Sequence, residues 1–293
     1  MPELPEVETV CRGLKGVLEG HRLARVDVRR KDLRIPFPPR FGERLTGRTV
    51  EKIRRRAKYM LLDLDDGNVL IVHLGMSGRM VVQKKAGAPA KHDHVIFTTD
   101  DGAEIRFNDP RRFGLMTLVP REELERHKLF RHLGPDPLTG EFTPEVLSAA
   151  LKGRKTSIKA ALLDQRIVVG VGNIYACESL YLAGISPLRN AGTVAGERAA
   201  RLVPAIKKVL NDAIAAGGSS LRDHVQPSGE LGYFQHAWKV YGREGESCSC
   251  GKAGGTAAKS GTGGKGKPNK GKGLVRRIIQ GGRSTFYCPA CQT

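Results

Sequence analysis

The sequence predicts an α+β protein of several domains: a leading helix, an N-terminal β-sandwich, a helical second half and a small β-ribbon at the C-terminus. Three observations carry that reading. Residues 22 to 119 run in short apolar stretches, with strict apolar and polar alternation at their start and Asp66-Gly67 and Asp101-Gly102 between later ones. From about Thr143 the apolar period lengthens to that of a helix. Four of the six cysteines, Cys248, Cys250, Cys288 and Cys291, crowd the tail, where clustered thiols in a reducing compartment suggest a metal. At 293 residues the chain can bury a sizeable core and hold two domains with a small appendage.

The first helix follows from Pro5, whose missing N–H suits an opening turn, and from Val7, Val10, Cys11, Leu14, Val17 and Leu18, which repeat at helical spacing until Gly20. Ala24, Val26 and Val28 then alternate with Arg25, Asp27 and Arg29, as in a sheet with one wet face. Met60 to Leu64 and Val69 to Leu74 flank Asp66-Gly67, and Val95 to Thr99 and Glu104 to Phe107 flank Asp101-Gly102. Asp-Gly between apolar runs marks a hairpin, because a type I′ turn needs positive φ at both positions. A β-sandwich or flattened barrel follows, ending near Pro120. Residues 134 to 143 read as a linker, and 144–151, 157–163, 175–182 and 196–216 as helices, the last with a kink at Pro204. Residues 217 to 236, rich in glycine, read as a loop, and apolar alternation on both sides of a Gly- and Lys-rich insertion suggests the ribbon. The expected domains are 1–133, 134–236 and 237–293.

A formal net charge of +19 and a pI near 10 point to a polyanionic partner, and nucleic acid leads. No run approaches the roughly 18 apolar residues of a membrane span, and no signal peptide opens the chain, so a cytoplasmic protein is expected. Cys11 and Cys177, each inside a helical pattern, read as buried thiols.

Several stretches can carry chemistry. Loss of Met1 would leave Pro2 as a secondary amine just ahead of a helix. Such an amine has a reference pKa of roughly 7.7 to 8.0, and the positive helix end favours its neutral, nucleophilic form. The same residues also describe an ordinary amphipathic helix whose acids complement its dipole. Lys58 ends a basic run, Arg54-Arg55-Arg56, ahead of an apolar strand; a solvated charge run is the plain alternative. Met76 and the Arg111-Arg112-Phe113 group lie in two glycine-flanked tips, and Lys91-His92-Asp93-His94 precedes a strand. Gly170-Val171-Gly172 lacks the preceding strand and the third glycine of a dinucleotide loop. Arg154, Lys155 and Lys159 recur at helical spacing and read as a basic surface face, either simply solvated or in contact with DNA. The first cysteine pair is Cys248-Ser249-Cys250, one residue shorter than the common pattern. Four-cysteine zinc, three cysteines plus water, and no metal all remain open for it.

The opening Met1-Pro2-Glu3-Leu4-Pro5-Glu6-Val7-Glu8-Thr9 resembles that of the bacterial formamidopyrimidine-DNA glycosylases, repair enzymes for oxidised purines, and further matches recur almost to the last residue. The resemblance implies a glycosylase and abasic-site lyase acting on duplex DNA containing 8-oxoguanine or formamidopyrimidines, as a monomer. It makes Pro2 the nucleophile at the sugar C1′, Glu3 the general acid and base, and Lys58 a phosphate contact that assists proton transfer. Met76, Arg111 and Phe113 become the set that fills the void left by a flipped nucleotide, with Arg111 facing the orphaned cytosine. His92, Arg154 and Asn173 become DNA ligands. Val168 to Leu182 is similar to a helix-two-turn-helix, and Ser219 to Phe234 to a loop covering the flipped base. The tail resembles a zinc β-ribbon with one structural Zn2+ on Cys248, Cys250, Cys288 and Cys291 and with Arg283 at its hairpin tip, beside the lesion's phosphates. The insertion, 251–273, lacks acidic and aromatic residues and reads as a disordered basic arm. Two alternatives stand beside this reading: the related endonuclease VIII branch, directed at oxidised pyrimidines, and a noncatalytic binder of damaged DNA.

Overall fold

A computed structural model describes residues 2–83, 87–219, 227–228, 232–250 and 273–293. The chain forms two compact units, one of residues 1–136 with 210–237, the other of 137–209 with 238–293. Residues 217–219 and 232–236, grouped by sequence with the helices, thus belong with the N-terminal unit. Most of the proposed covering loop and of the basic arm lies outside the described residues.

The first unit opens with helix α1 (Leu4–Leu18) and strand β1 (Leu23–Val28). A short helix, α2 (Phe41–Leu45), follows in a stretch read from sequence as strand. Then come β2 (Val50–Arg56), β3 (Tyr59–Leu64), β4 (Asn68–His73), β5 (Arg79–Gln83), β6 (Asp93–Thr99), β7 (Glu104–Asn108) and β8 (Leu115–Pro120). They make two four-stranded antiparallel sheets, ordered β1-β6-β7-β5 and β2-β3-β4-β8. Both Asp-Gly turns are where the sequence puts them, but only their glycines take positive φ, Gly67 at +78° and Gly102 at +87°; Asp66 and Asp101 do not, so neither is the type I′ turn expected. The inner faces of the sheets meet through Leu62, Leu70, Val72, Val95, Phe97 and Phe107, and α1 adds Val7, Val10 and Leu14 to the same core. The β2-β3-β4-β8 sheet is covered on its other face too, where Leu61, Val69 and Ile71 pack with Leu124 and Phe130. That double burial explains why β3 and β4 read as unbroken apolar runs rather than alternating ones.

The second unit holds α3 (Pro144–Leu151), α4 (Ile158–Leu163), α5 (Asn173–Leu182) and most of α6 (Glu197–Ala215), inside which Pro204 lies. Thr143 and Ser157 cap α3 and α4 by accepting the backbone N–H groups of Val146 and Ala160. The ribbon is β9 (Arg276–Gln280) paired with β10 (Arg283–Tyr287), so both strands follow the insertion. Residues 239 to 241 do not join it, because all three backbone N–H groups donate to the buried Glu178 carboxylate of α5, at 2.8 to 3.0 Å. A β-bridge, Ser247 to Leu274, joins the two sides of the insertion, and beside it the Gly245, Val275 and Cys248 N–H groups donate to the Val275, Glu246 and Gly273 carbonyls.

Candidate functional site

In the sandwich unit Pro2 and Glu3 are buried at the start of α1. The Glu6 carboxylate, one turn on, accepts the Glu3 N–H at 2.8 Å and the Ser219 N–H at 2.8 Å. An anion there is favoured by the positive end of the helix dipole. The run Arg54-Arg55-Arg56 is spent on structure rather than on solvent: Arg54 forks onto Asp63, Arg55 bridges Glu8 of α1 and Asp136, and Arg56 donates to the Gly134 carbonyl. The Arg55 to Glu8 bond ties the end of β2 to α1. Lys58, buried in the two-residue turn between β2 and β3, is therefore carried by a strand end fixed to that helix. Ala57, its neighbour in the turn, sits at φ +55°, a left-handed conformation costing a Cβ-bearing residue about 1 to 2 kcal/mol.

His73 lies opposite Tyr59 at the end of β4, and its Nδ1 accepts the Gly75 N–H at 3.0 Å. Burial first, and then the positive charges of Lys58 and Arg34, push its pKa down to about 4. At neutral pH it is an uncharged imidazole whose remaining proton is on Nε2.

Beyond His73 the chain turns through Met76, and after β7 through Arg111 and Phe113. Met76 is 38% exposed and Phe113 44%, although both are large and apolar. The Arg111 guanidinium stands 4.8 Å from the centroid of the Phe113 ring, a cation–π contact at the surface. His92 is half-buried just before β6, its carbonyl accepting the Asp109 N–H.

In the second unit Asn173 begins α5 and donates through Nδ2 to the Ser284 carbonyl at 2.9 Å and to the Tyr241 hydroxyl at 3.3 Å. Lys159, expected on a basic surface face, is fully buried; its Nζ donates to the same carbonyl at 3.0 Å and to Thr285 Oγ1 at 2.6 Å. Two donors thus converge on the residue after Arg283. Arg283 itself is exposed at the hairpin tip, paired with Gln280 around Gly281 and Gly282, both at positive φ. Arg154 donates to the Ala150 carbonyl and lies 3.9 Å from Asp164.

The sulfurs of Cys248, Cys250, Cys288 and Cys291 lie within 4.8 Å of one another, and those of Cys248 and Cys291 are 3.9 Å apart. Four thiolates about 2.3 Å from one ion in tetrahedral array stand roughly 3.8 Å apart, so the donor set fits a closed zinc site. The short Cys-x-Cys spacing still brings both sulfurs in. The Cys250 N–H donates to Cys248 Sγ at 3.4 Å, which suits a thiolate ligand, and the Tyr181 hydroxyl lies 3.5 Å from the same sulfur.

The profile of the formamidopyrimidine-DNA glycosylase N-terminal domain matches residues 1–116, and that of the family's H2TH domain matches 133–225. Formamidopyrimidine-DNA glycosylases of Jannaschia sp. and Acidiphilium cryptum are each 54% identical to this chain, with both partners covered completely. The chain belongs to the formamidopyrimidine-DNA glycosylase family. Among solved structures, the MutM (Fpg) protein of Thermus thermophilus aligns with a TM-score of 0.82 at 36% identity, covering 99% of this chain and 98% of its own. A mutant Lactococcus lactis Fpg in complex with Fapy-dG containing DNA aligns with a TM-score of 0.84 at 30% identity over both whole chains.

For a member of this family, the structure brings Pro2, Glu3, Lys58, His92, Met76, Arg111 and Phe113 into one unit, and Arg154, Asn173, Arg283 and the four cysteines into the other. Sequence reasoning missed Glu6, His73, Asp109 and Glu178 as organising groups, and the burial of Lys159. Glu6 had one legible signal, its capping-box spacing from Glu3, hidden because Glu3 is not a serine or threonine.

Proposed function

We propose that this chain excises 8-oxoguanine and formamidopyrimidines from duplex DNA and then cuts the strand as an abasic-site lyase. The observation that carries the reading is a start-of-helix Pro2-Glu3 corner in the same sandwich that presents Met76, Arg111 and Phe113 at its surface. With Met1 removed, the Pro2 nitrogen attacks C1′, the glycosidic bond breaks, and the base leaves with a proton. Glu3 shuttles protons, and opening of the sugar gives an iminium. That cation acidifies the C2′ hydrogen; its removal expels the 3′ phosphate, and a second elimination expels the 5′ phosphate. Covalent catalysis divides one hard displacement into easier steps.

Each unit supplies its own DNA contacts. In the sandwich Lys58 and His92 hold phosphates, the Met76, Arg111 and Phe113 side chains enter the space of the extruded nucleotide, and Arg111 reads the opposite cytosine. Extrusion costs a few kcal/mol of unstacking, which inserted apolar and cationic side chains offset. In the second unit Arg154, Asn173 and Arg283 bind the backbone. One Zn2+ on Cys248, Cys250, Cys288 and Cys291 would fix the ribbon and take no part in the chemistry. The protein acts as a monomer in the cytoplasm.

Borohydride should trap a covalent adduct with duplex DNA bearing 8-oxoguanine opposite cytosine, and acetylation of the Pro2 nitrogen should abolish it. A protein blocked at that nitrogen that still traps DNA would exclude the mechanism. Excision of thymine glycol in preference to 8-oxoguanine would instead assign the pyrimidine-directed branch, and DNA binding with no excision would assign a noncatalytic binder.

A further inference from the structure

Asp109 is completely buried at the base of the second tip. Every polar group it carries is bonded. Its Oδ1 accepts the Ser77 hydroxyl at 2.6 Å, and its Oδ2 accepts the Gly114 N–H at 2.8 Å. Its carbonyl accepts from His94 Nε2 at 2.9 Å and from the Arg112 N–H at 3.2 Å, and its N–H donates to the His92 carbonyl at 3.1 Å. Ser77 extends the chain, since its Oγ accepts the Arg111 N–H at 3.1 Å. One carboxylate therefore reaches the residue after Met76 on one tip and, directly or through Ser77, both flanks of the Arg111-Phe113 tip.

The backbones of the two tips are also in contact. Gly75 sits at φ +64°, and a Cβ placed there would lie 2.3 Å from the Phe113 carbonyl carbon and 2.4 Å from the Gly114 nitrogen. Only glycine permits that approach. Arg112 is held at φ +57°, which turns the chain between Arg111 and Phe113. A long exposed side chain on a free loop pays rotamer and backbone entropy when it is pushed into a duplex. On a loop fixed from beneath, most of that ordering is already done.

We propose that Asp109 is the positioning residue that couples the two tips, so that Met76, Arg111 and Phe113 enter DNA as one preorganised wedge and read the opposite base together. This rests on the wedge reading of those three side chains given above. Asp109 touches no DNA in this scheme; it acts through Ser77 and Gly114. Charge-assisted bonds of a buried carboxylate are the strong kind, which suits a brace under load.

The test compares two substrates under single-turnover conditions. One is duplex DNA with 8-oxoguanine opposite cytosine or adenine, which requires the wedge. The other is a single-stranded abasic site, which has no base to extrude and no partner to read. Asp109→Ala should lose tenfold to a hundredfold on the duplex and lose the preference for cytosine over adenine, while its single-strand cleavage stays within about twofold. Ser77→Ala, which cuts the link and leaves the Gly114 bond, should show the same pattern more weakly. Asp109→Asn should recover most of the activity, because its carbonyl can accept from Gly114 and its amide can donate to Ser77. Equal loss on both substrates would mean a folding defect and overturn the proposal. So would unchanged discrimination in Asp109→Ala when Met76→Ala and Arg111→Ala lose it. If Met76→Ala and Arg111→Ala also discriminate normally, the wedge reading itself falls.

Discussion

The sandwich tips and the ribbon tip present the same kind of group to solvent, an arginine on a tight turn, but they are braced by opposite charges. Beneath Arg111 lies a buried carboxylate, Asp109, that gathers hydroxyl and N–H donors. Beneath Arg283 lies a buried ammonium, Lys159, that gathers oxygen acceptors from Ser284 and Thr285. The difference follows from backbone geometry. In the sandwich, loops that leave the sheets have unspent N–H groups, and an anion collects them. In the ribbon, the strand residues Ser284 and Thr285 have a carbonyl and a hydroxyl turned inward, and a cation collects those. A charged surface tip is thus made rigid by whichever interior charge matches the groups its backbone leaves over.

The largest effect that separates the two regions is expected from the cysteines. Cys291→Ser should lower bound zinc from one per chain to none by elemental analysis, and duplex affinity should fall at least tenfold as the ribbon loosens, since structural zinc supplies folding free energy directly. The unfolding of the sandwich should be unchanged, which differential hydrogen exchange over residues 2–83 can show. Lys159→Met comes next. It leaves the buried Thr285 hydroxyl without its charged donor while the Ser284 carbonyl keeps Asn173, at a cost of about 1 to 2 kcal/mol in urea unfolding of the second unit. Incision by Lys159→Met should fall with Arg283→Ala, and the double variant should be no worse than either alone.

These contrasts also show what the sequence displays and what it conceals. The Asp-Gly turns, the Thr143 and Ser157 caps and the Gly281-Gly282 tip are local devices, so the residues themselves reveal them. The exposed Met76 and Phe113 were legible because the glycines beside them favour a loop tip over a core position, although a plain structural turn fits the same residues. Asp109 was not, because Asn-Asp-Pro reads as a surface turn and its partner Ser77 arrives from a different stretch of chain. The basic run at 54 to 56 misled for the same reason: Glu8 and Asp136, which neutralise Arg55, are distant in sequence, and Asp63 meets Arg54 only across the strand pair. The alternation after Trp238 suggested a strand that Glu178 prevents by taking its N–H groups.

A smaller effect belongs to the sandwich alone. His73 has a folded pKa of about 4 against an ordinary value of 6.5, so the unfolded chain binds its proton first as pH falls. Its contribution to stability is complete above pH 6.5 and is lost progressively down to about pH 4, amounting to at most about 3 kcal/mol. His73→Gln, which can still accept the Gly75 N–H, should flatten the fall in unfolding free energy over that window. The smallest effect is none: Cys11, pushed up to about 12 by burial, should resist alkylation in the folded protein, whereas the ribbon cysteines should react once a chelator is added.

The most direct test of the catalytic claim is peptide mapping of the borohydride-reduced complex with 8-oxoguanine duplex. Deoxyribose should be bonded to the nitrogen of Pro2 in a chain that has lost Met1. An adduct on Lys58 or any other lysine, or full incision by protein that retains Met1, would contradict it.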